Sequence, residues 1–461
     1  MSTLLPNSAA ARDVAYHVHP QTNLRKLKDE GPLVVTRGEG CRIFDDTGKD
    51  YIEAAAGLWC ASLGFTASER LARVAYDQMR QLGYYHTFRQ ASHPLVIDLA
   101  EKLLSIAPKT MSKAIFQCSG SEANDTAIKL IWYYHHAMGH PEKMKIIGRK
   151  GGYHGNTIAA VSVSGRPDMH AGFGLPLPMM RHTEMPHYYR FHEEGESEEQ
   201  FATRMADALE KLILAEGPET VGGFFAEPVM GGGGGIIPPK TYFEKIQKVL
   251  RKYDVLFVAD EVICGFGRTG NWWGSQTFGI EPDMMSCAKA LSAAFQPISA
   301  LMISDRVYQA MLTAGDKQGS FAHGYTHAGH PVTAAVALET LRIYEEMDVV
   351  GHTRRVGAHL LKELHKSADH PLIGDIRGVG LLCGVELVQD KKSRALFAPV
   401  GRVGGIVDRH ARKRGLILRI VGDRVVFTPP LIIDEAEVDE TMRRWRGALD
   451  DTWNELRRAA A

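Results

Sequence analysis

Short apolar runs alternate with amphipathic stretches through the middle of the chain. Ile115 to Cys118, Lys145 to Gly148, Val221 to Ala226, Val255 to Ala259, Met284 to Cys287 and Ile298 to Ile303 each read as a short buried strand. A helix is expected from about 121 to 138, apolar at Ile128, Ile131 and Trp132. Another runs from Lys240 to Asp254, with Phe243, Ile246, Val249, Leu250 and Tyr253 on one face. Strands apolar on both faces and separated by helices predict an α/β fold with a parallel sheet covered on both sides. Such sheets bind ligands at the carboxyl ends of their strands.

The pattern changes after residue 335. Helices near 332–348 and 351–368 are followed by a strand-rich stretch from Ile373 to Val388, a helix near 402–414 and the segment Leu416 to Leu431. This mixture predicts a second, smaller α/β domain. The first sixty residues contain a strand pair, Gly40 to Phe44 and Lys49 to Glu53, joined by Asp45 to Gly48. That pair is expected to join the second domain. The expected division is a large domain over 61–332 and a small one built from 1–60 and 333–461.

Composition removes whole classes of function. The 461 residues carry 54 Lys+Arg and 54 Asp+Glu, so no net charge draws the chain to nucleic acid or an acidic membrane surface. A hydrophobic share of 44% excludes disorder, and no run approaches the roughly 18 apolar residues of a membrane span. The first residues lack a basic stretch followed by an apolar one, so no secretory signal is expected. Six cysteines, at 41, 60, 118, 264, 287 and 383, form no C-x-x-C pair, which predicts free thiols and a cytoplasmic location. His135, His136 and His140 read as a solvated helix face rather than a metal site, and no metal is expected.

Chemistry gathers just after the apolar runs. Asp260-Glu261 follows one strand, Lys289 another, and Ser119-Gly-Ser-Glu-Ala-Asn124 a third; Gly151-Gly-Tyr-His-Gly155 comes shortly after a fourth. Each has a plain alternative. Ser119 and Glu122 have capping-box spacing, Tyr153 could be a half-buried aromatic, and Asp260 and Glu261 could be solvated strand-end acids. Together they meet the needs of pyridoxal phosphate. Its aldehyde requires a lysine amine, and its ring nitrogen a buried carboxylate. Its phosphate requires a helix start such as Ser119-Gly120-Ser121, and its flat ring an aromatic such as Tyr153.

Over nearly its whole length the sequence resembles the class III aminotransferases, of the fold type I pyridoxal-phosphate enzymes, and within them the amine:pyruvate (ω-amino acid:pyruvate) transaminase group. The resemblance rests on Val258-Ala-Asp-Glu-Val-Ile-Cys-Gly-Phe-Gly-Arg-Thr-Gly270 and Cys287-Ala-Lys-Ala-Leu291. Ser119 to Asn124, Gly152 to Gly155, Ala226 to Val229 and His323 to Pro331 support it. It implies a mostly parallel seven-stranded sheet flanked by helices, pyridoxal 5′-phosphate as cofactor, and a homodimer with shared sites.

The resemblance also implies roles. Lys289 is the Schiff-base lysine and proton shuttle, and Asp260 pairs with the ring nitrogen. Ser119, Gly120 and Ser121 hold the phosphate, with Thr326 reaching in from the other subunit. Tyr153 stacks on the ring beside His154, Val262 lies opposite, and Glu227 is a nearby acid. Trp59, Phe88 and Tyr153 line the substrate pocket. Arg419 binds the substrate carboxylate, with Arg424 close by as an alternative. The sequence departs from the family pattern at His327, at the five-glycine run Gly231 to Gly235 and at Ala293-Ala294-Phe295.

The implied reaction moves an amino group from a primary amine or ω-amino acid to pyruvate. An aminomutase or decarboxylase on the same scaffold is the alternative. A nicotinamide dehydrogenase is suggested only by Gly265-Phe-Gly-Arg-Thr-Gly270, which fits G-x-G-x-x-G. That reading is rejected, because acids precede the glycines and Asn271-Trp-Trp-Gly274, not an amphipathic helix, follows them.

Overall fold

The computed structural model describes residues 4–460. Its strands in chain order are β1 (Val35–Glu39), β2 (Arg42–Asp45), β3 (Asp50–Glu53), β4 (Met111–Gln117), β5 (Lys145–Arg149), β6 (Met180–Thr183), β7 (Val221–Ala226) and β8 (Leu256–Asp260). They continue with β9 (Met284–Cys287), β10 (Ser299–Ser304), β11 (Ile373–Val379), β12 (Leu382–Leu387), β13 (Leu416–Ile417), β14 (Arg419–Val421) and β15 (Arg424–Phe427).

The central sheet has seven strands in the order β4-β10-β9-β8-β7-β5-β6. The β8–β9, β7–β8, β5–β7 and β5–β6 pairs are parallel. β7, β8 and β9 are buried at every position, as their continuous apolar runs predict. The helices Gly120–Ala137 and Tyr242–Lys252 fall where the periodicity places them, and each buries its apolar face, Ile128 and Ile131 in the first and Phe243, Ile246 and Leu250 in the second.

Two features of this sheet depart from the sequence expectation. β10 runs antiparallel to both neighbours, β4 and β9. The link from β9 to β10 contains only the single 3-10 turn Lys289–Ser292, too little chain for the dozen or more residues of a parallel crossover. β6 was not anticipated. Its four residues, Met-Arg-His-Thr, carry no run of apolar positions to mark a strand.

β2 and β3 form the expected antiparallel pair, and Asp45 Oδ1 fixes the turn by accepting from Thr47 N at 2.9 Å and Lys49 N at 3.0 Å. β13 adds to β3 in parallel, with Leu416 opposite Ile52. A third sheet, β11-β12-β15-β14, is antiparallel throughout and places Arg419 and Arg424 on adjoining strands. His135 is not on a solvated face: it is buried, and its Nε2 lies 2.9 Å from Gly222 O. Burial lowers its pKa to about 4. No described helix is long and apolar enough to cross a membrane.

Candidate active site

Asp260 closes β8, and Ser286 lies opposite it in the neighbouring parallel strand β9. The chain leaving β9 at Cys287 therefore brings Lys289 to the same sheet edge. β4 leads into the helix Gly120–Ala137, β5 into the loop carrying Tyr153 and His154, and β7 ends just before Glu227. These segments enclose a cavity of about 110 Å³, whose walls include Gly120, Ser121, Tyr153, Asp260, Val262 and Lys289.

Asp260 is 4% exposed and held from three sides. Its Oδ2 accepts from Asn124 Nδ2 at 2.9 Å and lies 2.8 Å from His154 Nδ1, while its Oδ1 accepts from Val262 N at 3.1 Å. With His154 Nδ1 as donor, the carboxylate is locked in orientation at the cavity wall. Glu227 is also buried. It accepts from Tyr153 N at 3.0 Å and from Arg149 Nη2 at 2.8 Å, and lies 3.7 Å from His154 Nε2.

Lys289 is partly buried, and its side chain forms no hydrogen bond or ion pair with the described residues. Burial lowers its pKa from the usual lysine value, with Asp260 pulling the other way. Its backbone has φ 49°, and Ala293 and Ala294 in the same turn have φ 49° and 68°. Left-handed backbone at a side-chain-bearing residue costs about 1–3 kcal/mol.

Gly120 and Ser121 open their helix with free N–H groups toward the cavity end, the arrangement that receives an anion. Gly155 must lack a side chain: with φ 138°, a Cβ there would come within 2.7 Å of Ser121 Oγ. Ser119 is not part of the cavity wall. Its hydroxyl accepts from Glu122 N at 3.3 Å, while Glu122 Oε2 accepts from Ser119 N at 3.1 Å, a complete capping box.

Trp59 and Arg419 extend the site. Arg419 Cζ lies 5.2 Å from the Trp59 ring centroid, and Lys289 Nζ lies 5.6 Å from the same centroid. Trp59 sits in a strained turn, with φ 46° at Ala56, 67° at Gly57 and 59° at Trp59. Glu53 pins that turn by accepting from Gly57 N at 2.5 Å. Burial pushes the Glu53 carboxyl up to about 7, against the N–H groups of Gly57 and Ala55. Arg419 forms no hydrogen bond or ion pair with the described residues, and its Nε is buried without a partner. Burial, reinforced by Arg166 and opposed by Tyr153, lowers its pKa. Arg424 instead stands directly across the strand pair from Glu386 and packs against Gly234.

Phe88 departs from its expected place, and Thr326, expected at the other subunit's site, lies outside this chain's cavity. Phe88 is 40% exposed and does not line the cavity; its ring covers Gly324. Thr326 is also exposed, and its carbonyl accepts from Tyr84 OH at 2.8 Å. The two segments lie side by side, and neither residue lines the cavity that holds Lys289.

The glycine motif Gly265–Gly270 folds as a tight loop. A Cβ at Gly265 would meet Trp273 at 2.9 Å, and the only helix that follows closely is Gly274–Phe278. It frames no phosphate. The five-glycine run is buried behind Tyr153, and a Cβ at Gly232 would reach Tyr153 Cβ at 2.8 Å.

The residues present suit pyridoxal phosphate. An unpaired amine, an oriented carboxylate, a helix start and an aromatic line one cavity, and buried Asn124 Oδ1 and His154 Nε2 lack partners. Sequence reasoning missed Arg149, Asn124 and Glu53 as contributors. Arg149 offers a signal, as a charge placed directly after the apolar Ile146-Ile147-Gly148 run.

A family model described as aminotransferase class-III matches residues 25–449. Gamma aminobutyrate transaminase 3, chloroplastic, from Solanum lycopersicum is 45% identical over 98% of this chain and 88% of its own length. Gamma-aminobutyrate transaminase 1, mitochondrial, from Oryza sativa subsp. indica is 47% identical over 92% and 82%. The omega transaminase from Pseudomonas jessenii in complex with PMP superposes with a TM-score of 0.95 at 51% identity, covering 96% of this chain and 98% of that one. A transaminase solved with L-alanine gives a TM-score of 0.90 at 52% identity, covering 92% and 100%.

Proposed function

The chain belongs to the class III aminotransferases, which use pyridoxal 5′-phosphate, and from that premise we propose that it transfers the amino group of a primary amine or ω-amino acid to pyruvate. The observation that carries this reading is Arg419, a half-buried cation without a counter-ion at the ring of Trp59, which also faces Lys289. A cation so placed suits a carboxylate brought close to the reacting amine. Pyruvate has such a carboxylate, and so does an ω-amino acid at its far end. The similar transaminase solved with L-alanine and the γ-aminobutyrate transaminases among the relatives support both halves of the reading.

Lys289, Asp260, Gly120, Ser121, Tyr153 and Val262 are the residues that would hold the cofactor. When bound, it supplies the electron sink for charge developing on the carbon that carries nitrogen. Asp260, oriented by Asn124, His154 and the Val262 N–H, keeps a proton on the ring nitrogen. Lys289 Nζ, its pKa lowered by burial, would take the proton from the amine-bearing carbon and return it to the carbon on the other side of that nitrogen, two bonds away. The helix start at Gly120 and Ser121 receives the phosphate. Tyr153 and Val262 bracket the ring. Arg419 pairs with the carboxylate of the acceptor and swings aside for an apolar donor, since a fixed unpaired buried charge would be costly.

A homodimer follows from the same reading. Thr326 and Phe88 are exposed on adjoining segments, which supports both reaching the partner's site: Thr326 its phosphate, Phe88 its substrate pocket. A panel of amines and ω-amino acids, each supplied with pyruvate, tests the substrate assignment. Alanine formation is expected. Product from a donor alone would favour a mutase or decarboxylase.

A further inference from the structure

Arg149 is a fully buried charge that the mechanism above does not use. It ends β5, and its side chain is fully inaccessible. Its only ion pair among the described residues is with Glu227, through Nη2 and Oε2 at 2.8 Å; the same Nη2 donates to Glu227 O at 2.6 Å. The rings of Tyr242 and Phe243 flank the guanidinium, with centroids 6.0 and 5.8 Å from Cζ. Such a pair is dear to bury, and hydrophobic replacements are often as stable. Fold stability alone therefore does not account for it.

The pair points at the cofactor site. Glu227 Oε2, the oxygen bonded to Arg149, lies 3.7 Å from His154 Nε2, and His154 Nδ1 lies 2.8 Å from Asp260 Oδ2. Gly152 lies between them: a Cβ there would crowd Arg149 O at 3.0 Å and touch both Glu227 Oε2 and His154 Nε2 at 3.4 Å. All four side chains are at most 5% exposed, so little solvent screens the charges along the row.

We propose that Arg149 is a positioning residue for the transamination. Its charge balances Glu227, and the balanced pair sets the field in which His154 holds Asp260 against the cofactor's ring nitrogen. Glu227 in turn fixes the Tyr153 backbone through Tyr153 N at 3.0 Å. The row thus governs both the electrostatics under the ring and the aromatic beside it. The other titratable groups around Asp260 are Lys289, Tyr153, Glu261, Cys264 and Cys287, and burial keeps both thiols protonated by raising their pKa. Glu261 is turned away, accepting from Gly274 N at 2.9 Å and Ser275 N at 2.5 Å.

The inference rests on the pyridoxal-phosphate reading, and its test separates the two. The measurement is the pH midpoint of the change in visible absorption of the bound cofactor, in the holoenzyme without substrate. Glu227→Gln leaves the Arg149 cation unbalanced. It should lower the midpoint by about one pH unit, the effect of one charge acting over roughly 10 Å at low screening. Adding Arg149→Met to Glu227→Gln should bring the midpoint back to within a few tenths of the wild-type value. Arg149→Lys alone, which keeps the charge, should leave it in place. A purely structural role would make the double variant worse than the single one. An unmoved midpoint in Glu227→Gln, or a double variant as displaced as the single, overturns the proposal. Should the double variant not fold, the single Glu227→Gln result decides. Absence of a visible band in the wild type would instead overturn the cofactor reading.

Discussion

Arg419 stands 5.2 Å from the ring of Trp59, whose same ring centroid lies 5.6 Å from the amine of Lys289. One indole thus lies between the proposed proton carrier and the proposed partner of the carboxylate. Arg419→Ala should raise KM for pyruvate about a hundredfold, the size of a lost charge-assisted hydrogen bond. Turnover of a simple alkylamine in the donor half-reaction should change less than about threefold. Steady-state kinetics with each substrate varied in turn checks this, and equal losses for both would contradict the gating role.

Lys289→Ala should still bind the cofactor, because Asp260, the helix start and Tyr153 are untouched. Transamination should fall by more than about a thousandfold, since both the amine and the proton carrier are lost. Borohydride reduction followed by peptide mass spectrometry should find the cofactor fixed to Lys289 in the wild type and to no residue in the variant.

Thr326 offers a test of shared sites. Thr326→Asp places a negative charge against the phosphate and should inactivate the homodimer. Mixing and reassembling it with Lys289→Ala chains should restore about a quarter of wild-type activity, because half of the dimers then contain one intact site. If Thr326 serves its own chain, mixing restores nothing.

Glu53 gives a pH signature. Its folded pKa is raised, to about 7 from 4.5. The stability from its bound proton is therefore fully present below pH 4.5 and is lost as pH rises through 7. The loss is about 3 kcal/mol. Glu53→Gln keeps an acceptor for Gly57 N, so its Tm should fall less than that of the wild type between pH 4.5 and 7. Parallel Tm profiles would contradict the raised carboxyl.

Much of the site was legible because its residues fall at the ends of apolar runs. Asp260 and Lys289 follow β8 and β9, two strands buried at every position, and a parallel pairing of such strands forces their ends together. The direction of β10 was not legible, because an apolar run has the same pattern in either sense; only the shortness of the preceding link decides it. β6 was hidden by its polar residues. The motif around Phe88 points to the pocket, yet within this chain the ring covers Gly324, a contact between distant segments that no local pattern marks. Asp260, His154 and Glu227 are named by the resemblance, but their contacts with one another, and the place of Arg149 at the end of the row, appear only in the structure.

The most direct test of the account follows the nitrogen itself. Purified holoenzyme is given pyruvate and a primary amine labelled with heavy nitrogen, and the alanine formed is weighed by mass spectrometry. The account predicts labelled alanine in equal amount to the carbonyl product, and none when pyruvate is withheld or Lys289 is replaced by Ala. Carbonyl product that accumulates without pyruvate, or alanine that lacks the label, would contradict it.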